Sequence, residues 1–295
     1  MSSREQGGGP GADDPPPARR SAVRALWGSS HPGPSVVVTL VAVALGIASG
    51  LEPWRIGLLA IAILLGQLSV GISNDAIDAR RDRAVGRTDK PIARGDVSVP
   101  AAWIAASVAL VLALVLSCLL SWQMALAHLV ALASAWSYNA GLKSTPFSVV
   151  PFVVSFGLLP SLVTLSAADP RPAAAWAWAA GASLGVAIHL TNVLPDLDDD
   201  ARTGVRGLPH RLGRRASAVI AAIAVVGGAL AVLLGPDAAP GPLGILVFTG
   251  VVAIAVAGLV LALVRPPGRW VFRLVMLAAL LLCVQLAATG SALAA

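Results

Sequence analysis

Long apolar runs separated by short polar segments dominate this sequence. Most runs are close to the ~20 residues that an α-helix needs to cross the hydrocarbon core of a bilayer. They lie at about 35–50, 56–78, 100–119, 122–139, 147–166, 173–195, 216–235, 241–264 and 270–292. The pattern therefore predicts an all-α polytopic membrane protein with nine transmembrane helices.

The composition supports this prediction. Hydrophobic residues make up 57% of the chain and charged residues only 12%, whereas soluble domains carry about 25% charged residues. The net charge of +6 does not indicate nucleic-acid binding, because the basic residues lie in short segments between apolar runs. A soluble domain and a nucleic-acid-binding protein are both excluded.

The first residues differ from the rest. Residues 1–24 are rich in Gly and Pro and lack an apolar period, which predicts a disordered cytoplasmic tail before one transmembrane domain at 25–295. The first apolar run ends in Ala48-Ser49-Gly50, a sequence that a signal peptidase would also accept. The sequence therefore leaves open whether that segment is retained.

The basic residues predict an orientation. If the N-terminus is cytoplasmic, all but two of the 21 Lys and Arg residues fall on the cytoplasmic side, and the exceptions are Arg55 and Arg171. Cytoplasmic segments of membrane proteins carry such an excess. We therefore expect a multi-pass protein of the plasma membrane, with its N-terminus inside and its C-terminus outside.

The second apolar run continues into an acidic cluster. On a helix Asn74, Asp78 and Asp82 share one face, and Asp75 lies beside Asp78 at i+3. Like charges stacked this way destabilise an isolated helix, but oxygen ligands grouped on one face suit Mg²⁺. The alternative is a solvated loop in which neighbouring arginines neutralise the carboxylates.

A second cluster follows the sixth run with the same spacing. Asn192, Asp196 and Asp200 repeat the four-residue interval, and both asparagines close a run that leads into the cytoplasm. Two four-helix repeats followed by one helix would produce this pattern, with the clusters facing each other. His189 falls on the same face as Asn192, and we interpret it as a buried, hydrogen-bonding histidine rather than a ligand.

Cations accompany both clusters. Arg87 follows the first, Arg206 follows the second, and Lys143 follows the fourth run, which contains the only tyrosine, Tyr138. Carboxylates alone would repel a diphosphate, but Mg²⁺ can bridge the two, while Arg and Lys bind the remaining oxygens. Membrane topology explains most other cations, and Tyr138 fits an interfacial anchor equally well.

With these motifs the sequence resembles the UbiA superfamily of intramembrane prenyltransferases, over roughly residues 25–290. The resemblance rests on Asn-Asp-x-x-Asp-x-x-x-Asp at 74–82, on Arg87 with Lys90-Pro91 and Arg94-Gly95, on Tyr-x-x-x-x-Lys at 138–143 and on Asp-x-x-x-Asp at 196–200. Two departures stand out. His31 replaces the Arg of the Arg-Pro pair that often opens these proteins, and Asn192-Val193 lacks a carboxylate often found before the second motif.

The resemblance implies nine helices around a central cavity and a Mg²⁺-dependent reaction. An isoprenoid chain would pass from a prenyl diphosphate to a lipophilic or aromatic acceptor, such as a quinone precursor. The implied metal ligands are Asn74, Asp78, Asp196 and Asp200, supported by Asp75 and Asp82. The implied substrate-binding residues are Asn74, Arg87, Tyr138, Lys143, Asn192 and Arg206, and the implied catalytic residues are Asp78, Asp196 and Lys143.

Other functions remain open at this point. The same chemistry would serve a terpene cyclase, or a transferase acting on a sugar phosphate or glycerol phosphate. A membrane transporter would place its carboxylates near the bilayer midplane, whereas both clusters here lie at helix ends, which favours an enzyme. The sequence does not specify the acceptor, the chain length or the oligomeric state.

Overall fold

The computed structural model describes residues 21–195, 197–202, 204–265 and 269–294. Over these residues the protein is all-helical, apart from one isolated bridge between Ala173 and Ala294. The helices are α1 (Ala22–Ser29), α2 (Pro32–Ala48), α3 (Pro53–Ala84), α4 (Pro91–Arg94), α5 (Val99–Leu120), α6 (Trp122–Ala140), α7 (Val150–Thr164), α8 (Ala175–Asn192), α9 (Leu197–Arg202), α10 (Leu208–Leu234), α11 (Pro242–Val264) and α12 (Arg269–Ala288).

The starts of several helices follow from local sequence. Ser98 and Ser121 accept hydrogen bonds from the backbone N–H groups of Ala101 and Met124 and so cap α5 and α6. Proline occupies the first turn of α2, α3, α5, α10 and α11, where its missing N–H is not needed. These residues mark where the helices begin, and successive long helices run in opposite directions between the two ends of a bundle.

Each end is held by contacts between distant parts of the chain. At one end, here called the polar end, Lys143 contacts Asp78 and the N–H of Leu208 donates to Ser148 Oγ. At the opposite end the Arg55 guanidinium donates to the carbonyls of Ser166 and Ala167. The C-termini of α3, α6 and α8 and the start of α10 thus meet at the polar end.

Both the inside and the outside of the bundle are apolar. Leu59, Met124 and Val225 are fully buried in the core, while Val111 and Leu246 are large and exposed on the outer surface. A helix that is apolar all round is buried in protein or in lipid. The protein is therefore a membrane protein.

The predicted count of nine crossings is not confirmed. Each of the nine apolar runs corresponds to a helix, but only α3, α5, α10 and α11 of the described residues are long and apolar enough by themselves. A fifth candidate is the pair α1 and α2, which is bent by 70°. The 15-residue α7 falls short of the usual length. The internal repeat also remains a prediction.

Helix α1 begins at Ala22, inside the segment predicted as the tail, and residues 1–20 lie outside the described residues. The α1–α2 elbow contains His31, whose φ of 53° is left-handed. The elbow lies directly on α3. A Cβ on Gly71 would come within 2.5 Å of the Ser30 carbonyl oxygen, so only glycine permits this approach.

The distribution of basic residues predicts how the bundle is oriented. In a variant without Cys118 and Cys283, a cysteine replacing Asp237, in the α10–α11 loop, should react with a membrane-impermeant maleimide on sealed cells. A cysteine replacing Thr88, at the polar end, should react only after permeabilisation. The reverse pattern of labelling would show that the polar end faces outward.

Candidate active site

The first acidic cluster occupies the last three turns of α3. Asp75, Asp78 and Asp82 are all buried, and Asn74 is half-buried beside them. Burying a carboxylate is costly unless a cation or hydrogen-bond donors compensate it. The partners of each carboxylate therefore indicate what that carboxylate does.

Asp78 is held by cations from two elements. The Lys143 ammonium lies 2.6 and 2.7 Å from its two carboxylate oxygens, and Arg81 Nη2 lies 3.1 Å from Oδ2. Lys143 belongs to a 3-10 turn that follows α6, after Gly141 with its φ of 153°. The sequence placed Lys143 near the clusters, and the structure brings it into direct contact with the first one.

Asp75 has a different set of partners. Lys90 and His31 both contact its Oδ1, the His31 Nε2 at 3.3 Å. Its Oδ2 is buried and has no hydrogen-bond partner among the described residues. Asp75 thus ties the α1–α2 elbow and the α3–α4 loop to α3, a role that the sequence analysis did not foresee, while its role toward a metal stays a prediction.

Asp82 is the least compensated carboxylate of the cluster. Arg81 Nε lies 3.8 Å from its Oδ1, Lys90 attracts it electrostatically, and Asp78 one turn earlier repels it. Two buried carboxylates on one helix face fit a divalent cation, because hard cations prefer oxygen ligands. Within the described ranges, however, no three His, Cys, Asp or Glu side chains gather around one point.

The second cluster continues from the end of α8 into α9. Asn192 is exposed at the last residue of α8, and Asp200 lies on α9, while the predicted ligand Asp196 lies outside the described residues. His210 Nε2 is 4.0 Å from Asp200 Oδ2. The sequence analysis missed His210, because a histidine ten residues beyond a motif gives no periodic signal.

Ser148 joins the two halves of the site. Its Oγ accepts the N–H of Leu208 at 2.9 Å and lies 2.9 Å from Nε2 of His189. Gly207 packs so closely on the Lys143 carbonyl that a Cβ would lie 2.5 Å from it. The loop that carries Lys143 is therefore fixed against the loop that follows the second acidic cluster.

Tyr138 lies between the clusters. Its ring makes edge contacts with Phe152 and His189, at centroid distances of 5.2 and 5.9 Å. Both Asp78 and Asp200 act electrostatically on its hydroxyl. Tyr138 is therefore within electrostatic range of one carboxylate from each cluster.

The predicted substrate-binding arginines are exposed at the rim. Arg87 donates two hydrogen bonds of 2.8 Å to Asp89, and these bonds lower the pKa of Asp89 to about 2. Arg87 also acts electrostatically on Asp82, and Arg206 acts on His210. The substrate roles of Arg87 and Arg206 remain predictions.

Comparison with known proteins supports the resemblance seen in the sequence. Residues 35–281 match the model of the UbiA prenyltransferase family. A digeranylgeranylglyceryl phosphate synthase from Natronomonas pharaonis is 30% identical over 222 residues, which is 72% of this chain and 79% of the relative. A 4-hydroxybenzoate octaprenyltransferase from Enterobacter sp. is 28% identical over 191 residues, which is 64% of this chain and 66% of the relative.

The fold is also found in solved structures. A UbiA homologue from Archaeoglobus fulgidus, determined with bound GPP and Mg²⁺, superimposes with a TM-score of 0.68 at 16% identity. The match covers 90% of this chain and 99% of the homologue. At this identity the match supports the shared fold alone.

The ion pair between Lys90 and Asp75 should stabilise the polar end. Lys90→Met should lower the free energy of unfolding by roughly 2–3 kcal/mol, because it leaves a buried carboxylate with only His31 as partner. Thermal unfolding in detergent measures this loss, and adding Asp75→Asn should recover part of it.

A matched control is Arg171→Met, which removes an exposed ion pair with Asp169 and should cost less than about 1 kcal/mol. Equal losses in the two variants would mean that Asp75 does not depend on Lys90.

Proposed function

The chain belongs to the UbiA prenyltransferase family, and we propose that it transfers an isoprenoid chain from a prenyl diphosphate to an acceptor, with release of diphosphate. The observation that carries this proposal is the Lys143 ammonium, held against both oxygens of Asp78 at the polar end. A cation beside buried carboxylates is suited to bind a metal-chelated anion. The other buried carboxylates of α3 lie one turn from Asp78, and the second acidic cluster and the rim arginines would complete the site.

The charged residues of the site explain how the prenyl diphosphate donor would bind. Asp78 and Asp82, with Asp196 and Asp200 from the second cluster, would hold Mg²⁺, which bridges carboxylates to diphosphate oxygens and stabilises the leaving group. Lys143 would bind an oxygen that the metal leaves free, and Arg87 and Arg206 would attract the anion at the rim. The donor is a prenyl diphosphate, the class to which the GPP bound by the Archaeoglobus homologue belongs.

The residues behind the clusters suit the prenyl chain. Tyr138, Phe152 and Phe156 form an aromatic group, in which the two phenylalanine rings are nearly parallel at 6.3 Å. As the carbon–oxygen bond to diphosphate breaks, positive charge develops on the first carbon of the chain. Aromatic faces favour such charge, and apolar walls exclude the water that would quench it.

Two acceptor classes follow from the relatives. The Natronomonas protein is named for a glyceryl phosphate product and the Enterobacter protein for 4-hydroxybenzoate. We propose a glycerol-phosphate lipid and a phenolic ring as the first two acceptors to test. Incubation of the purified protein with geranylgeranyl diphosphate, Mg²⁺ and each acceptor, followed by mass spectrometry, would identify the product.

The carboxylates of α3 should be essential. Asp78→Asn and Asp82→Asn should each lower kcat/KM by on the order of 100-fold or more, because a weakened metal site stabilises the leaving diphosphate less. Excess EDTA should abolish turnover by the wild-type protein.

Asp169→Asn is the matched control, since Asp169 is exposed at the opposite end of the bundle, and it should retain wild-type rates. Wild-type turnover in EDTA would contradict a metal-dependent reaction.

Lys143 should act on the donor. Lys143→Met should raise the KM for the prenyl diphosphate or lower kcat by about 10-fold or more, because one charge-assisted contact to the diphosphate is lost. Steady-state kinetics with varied donor concentration measure both constants.

The control is Arg215→Met, which removes an exposed cation from α10 and should leave donor kinetics unchanged. Unaltered kinetics in a correctly inserted Lys143→Met protein would refute this role.

A further inference from the structure

A buried histidine with one unpaired nitrogen lies behind Tyr138. His189 is 1% exposed, and its Nε2 lies 2.9 Å from Ser148 Oγ. Its Nδ1 is buried without a hydrogen-bond partner among the described residues. An unpaired buried polar atom lowers stability, so its presence calls for an explanation.

His189 has neighbours from both halves of the site. The His189 ring contacts Phe152 at a centroid distance of 4.8 Å and Tyr138 at 5.9 Å. His210, which lies 4.0 Å from Asp200, acts on it electrostatically. The unpaired nitrogen is thus carried by a ring that packs against Tyr138 and Phe152.

Ser148 fixes the orientation of the imidazole. Because its Oγ accepts the N–H of Leu208, the hydroxyl is anchored to the start of α10. The hydroxyl can still donate to Nε2 or accept from it, so Nδ1 either carries the ring proton or offers a lone pair. A hydroxyl group is the partner that satisfies both cases, because it donates and accepts.

The cations beside the α3 carboxylates suit the diphosphate rather than the acceptor. Lys143, Arg81 and Lys90 contact the carboxylates of α3, in the half of the site that faces the diphosphate. The ring contacts of His189 are instead aromatic. Those aromatic rings are the ones proposed to line the first carbon of the prenyl chain. The acceptor must approach the same carbon, so a polar atom among these rings would meet the acceptor rather than the diphosphate.

We propose that Nδ1 of His189 hydrogen bonds to a hydroxyl group of the acceptor and so selects acceptors that carry one, either phenols or alcohols. This inference rests on the proposed prenyl transfer. His189 is then an acceptor-binding residue, and Ser148 is the residue that positions it. Sites that hydrogen bond to a substrate hydroxyl discriminate strongly against analogues that lack it.

Two substitutions of His189 distinguish the role of Nδ1 from that of Nε2. His189→Gln places an amide near Nε2 and removes the polar atom at Nδ1, whereas His189→Asn retains a polar atom near Nδ1. With the acceptor that the wild-type protein prenylates, geranylgeranylglyceryl phosphate or 4-hydroxybenzoate, His189→Gln should raise the acceptor KM by on the order of 10- to 100-fold. The increase in His189→Asn should be several-fold smaller, and the donor KM should change in neither.

His128→Gln is the matched control. His128 is also buried and lies 2.8 Å from a serine hydroxyl, that of Ser117. It precedes Tyr138 by ten residues on α6, about 15 Å along the helix axis. This variant should lose thermal stability, as the His189 variants also should, but should keep the wild-type acceptor KM.

A 4-hydroxybenzoate analogue without the hydroxyl provides a second measurement. Benzoate should compete with the acceptor weakly, and equally weakly in wild type and His189→Gln. An unchanged acceptor KM in His189→Gln, or equal increases in the donor and acceptor KM, would overturn the inference while leaving prenyl transfer intact. Absence of donor turnover by the wild-type protein with either acceptor would overturn the proposed function and the inference together.

Discussion

The polar end is organised by the need to compensate carboxylates that are buried at the end of a membrane helix. Water is largely excluded from Asp75, Asp78 and Asp82, so cations from elsewhere in the chain must approach them. Lys143 arrives from the end of α6, Lys90 from the α3–α4 loop and His31 from the α1–α2 elbow. The same arrangement of charges is what the proposed binding of a metal-bound diphosphate would use.

The positions of the helices and the spacing of the clusters could be predicted from the sequence. The four-residue interval from Asn74 to Asp82 fits a continuation of the helix predicted at 56–78, with a solvated loop as the alternative, and α3 does continue to Ala84. The motif around Lys143 placed this lysine near the clusters, where its contact with Asp78 is found. Such features depend on local periodicity, which a single sequence displays directly.

Other features depend on contacts between distant residues. A helical period shows which face carries Asp75 but not that Lys90 and His31 lie opposite it. Ser148 and Leu208 are bonded across 60 residues, and nothing in the sequence near either residue predicts that bond. The number of crossings also could not be read from apolar runs, because the 15-residue α7 and the bent pair α1–α2 do not match the length of a simple span.

The contact of Ser148 with Leu208 has a consequence for how the protein is made. The ribosome releases the Lys143 loop well before Gly207 and Leu208, so until these residues have emerged the loop has its contact with Asp78 but not its contacts with the start of α10. The elbow at His31 likewise waits for Asp75 and Lys90. A nascent chain interrupted before α10 would therefore lack the contacts that hold the Lys143 loop against the start of α10, even with most of its helices already in the bilayer.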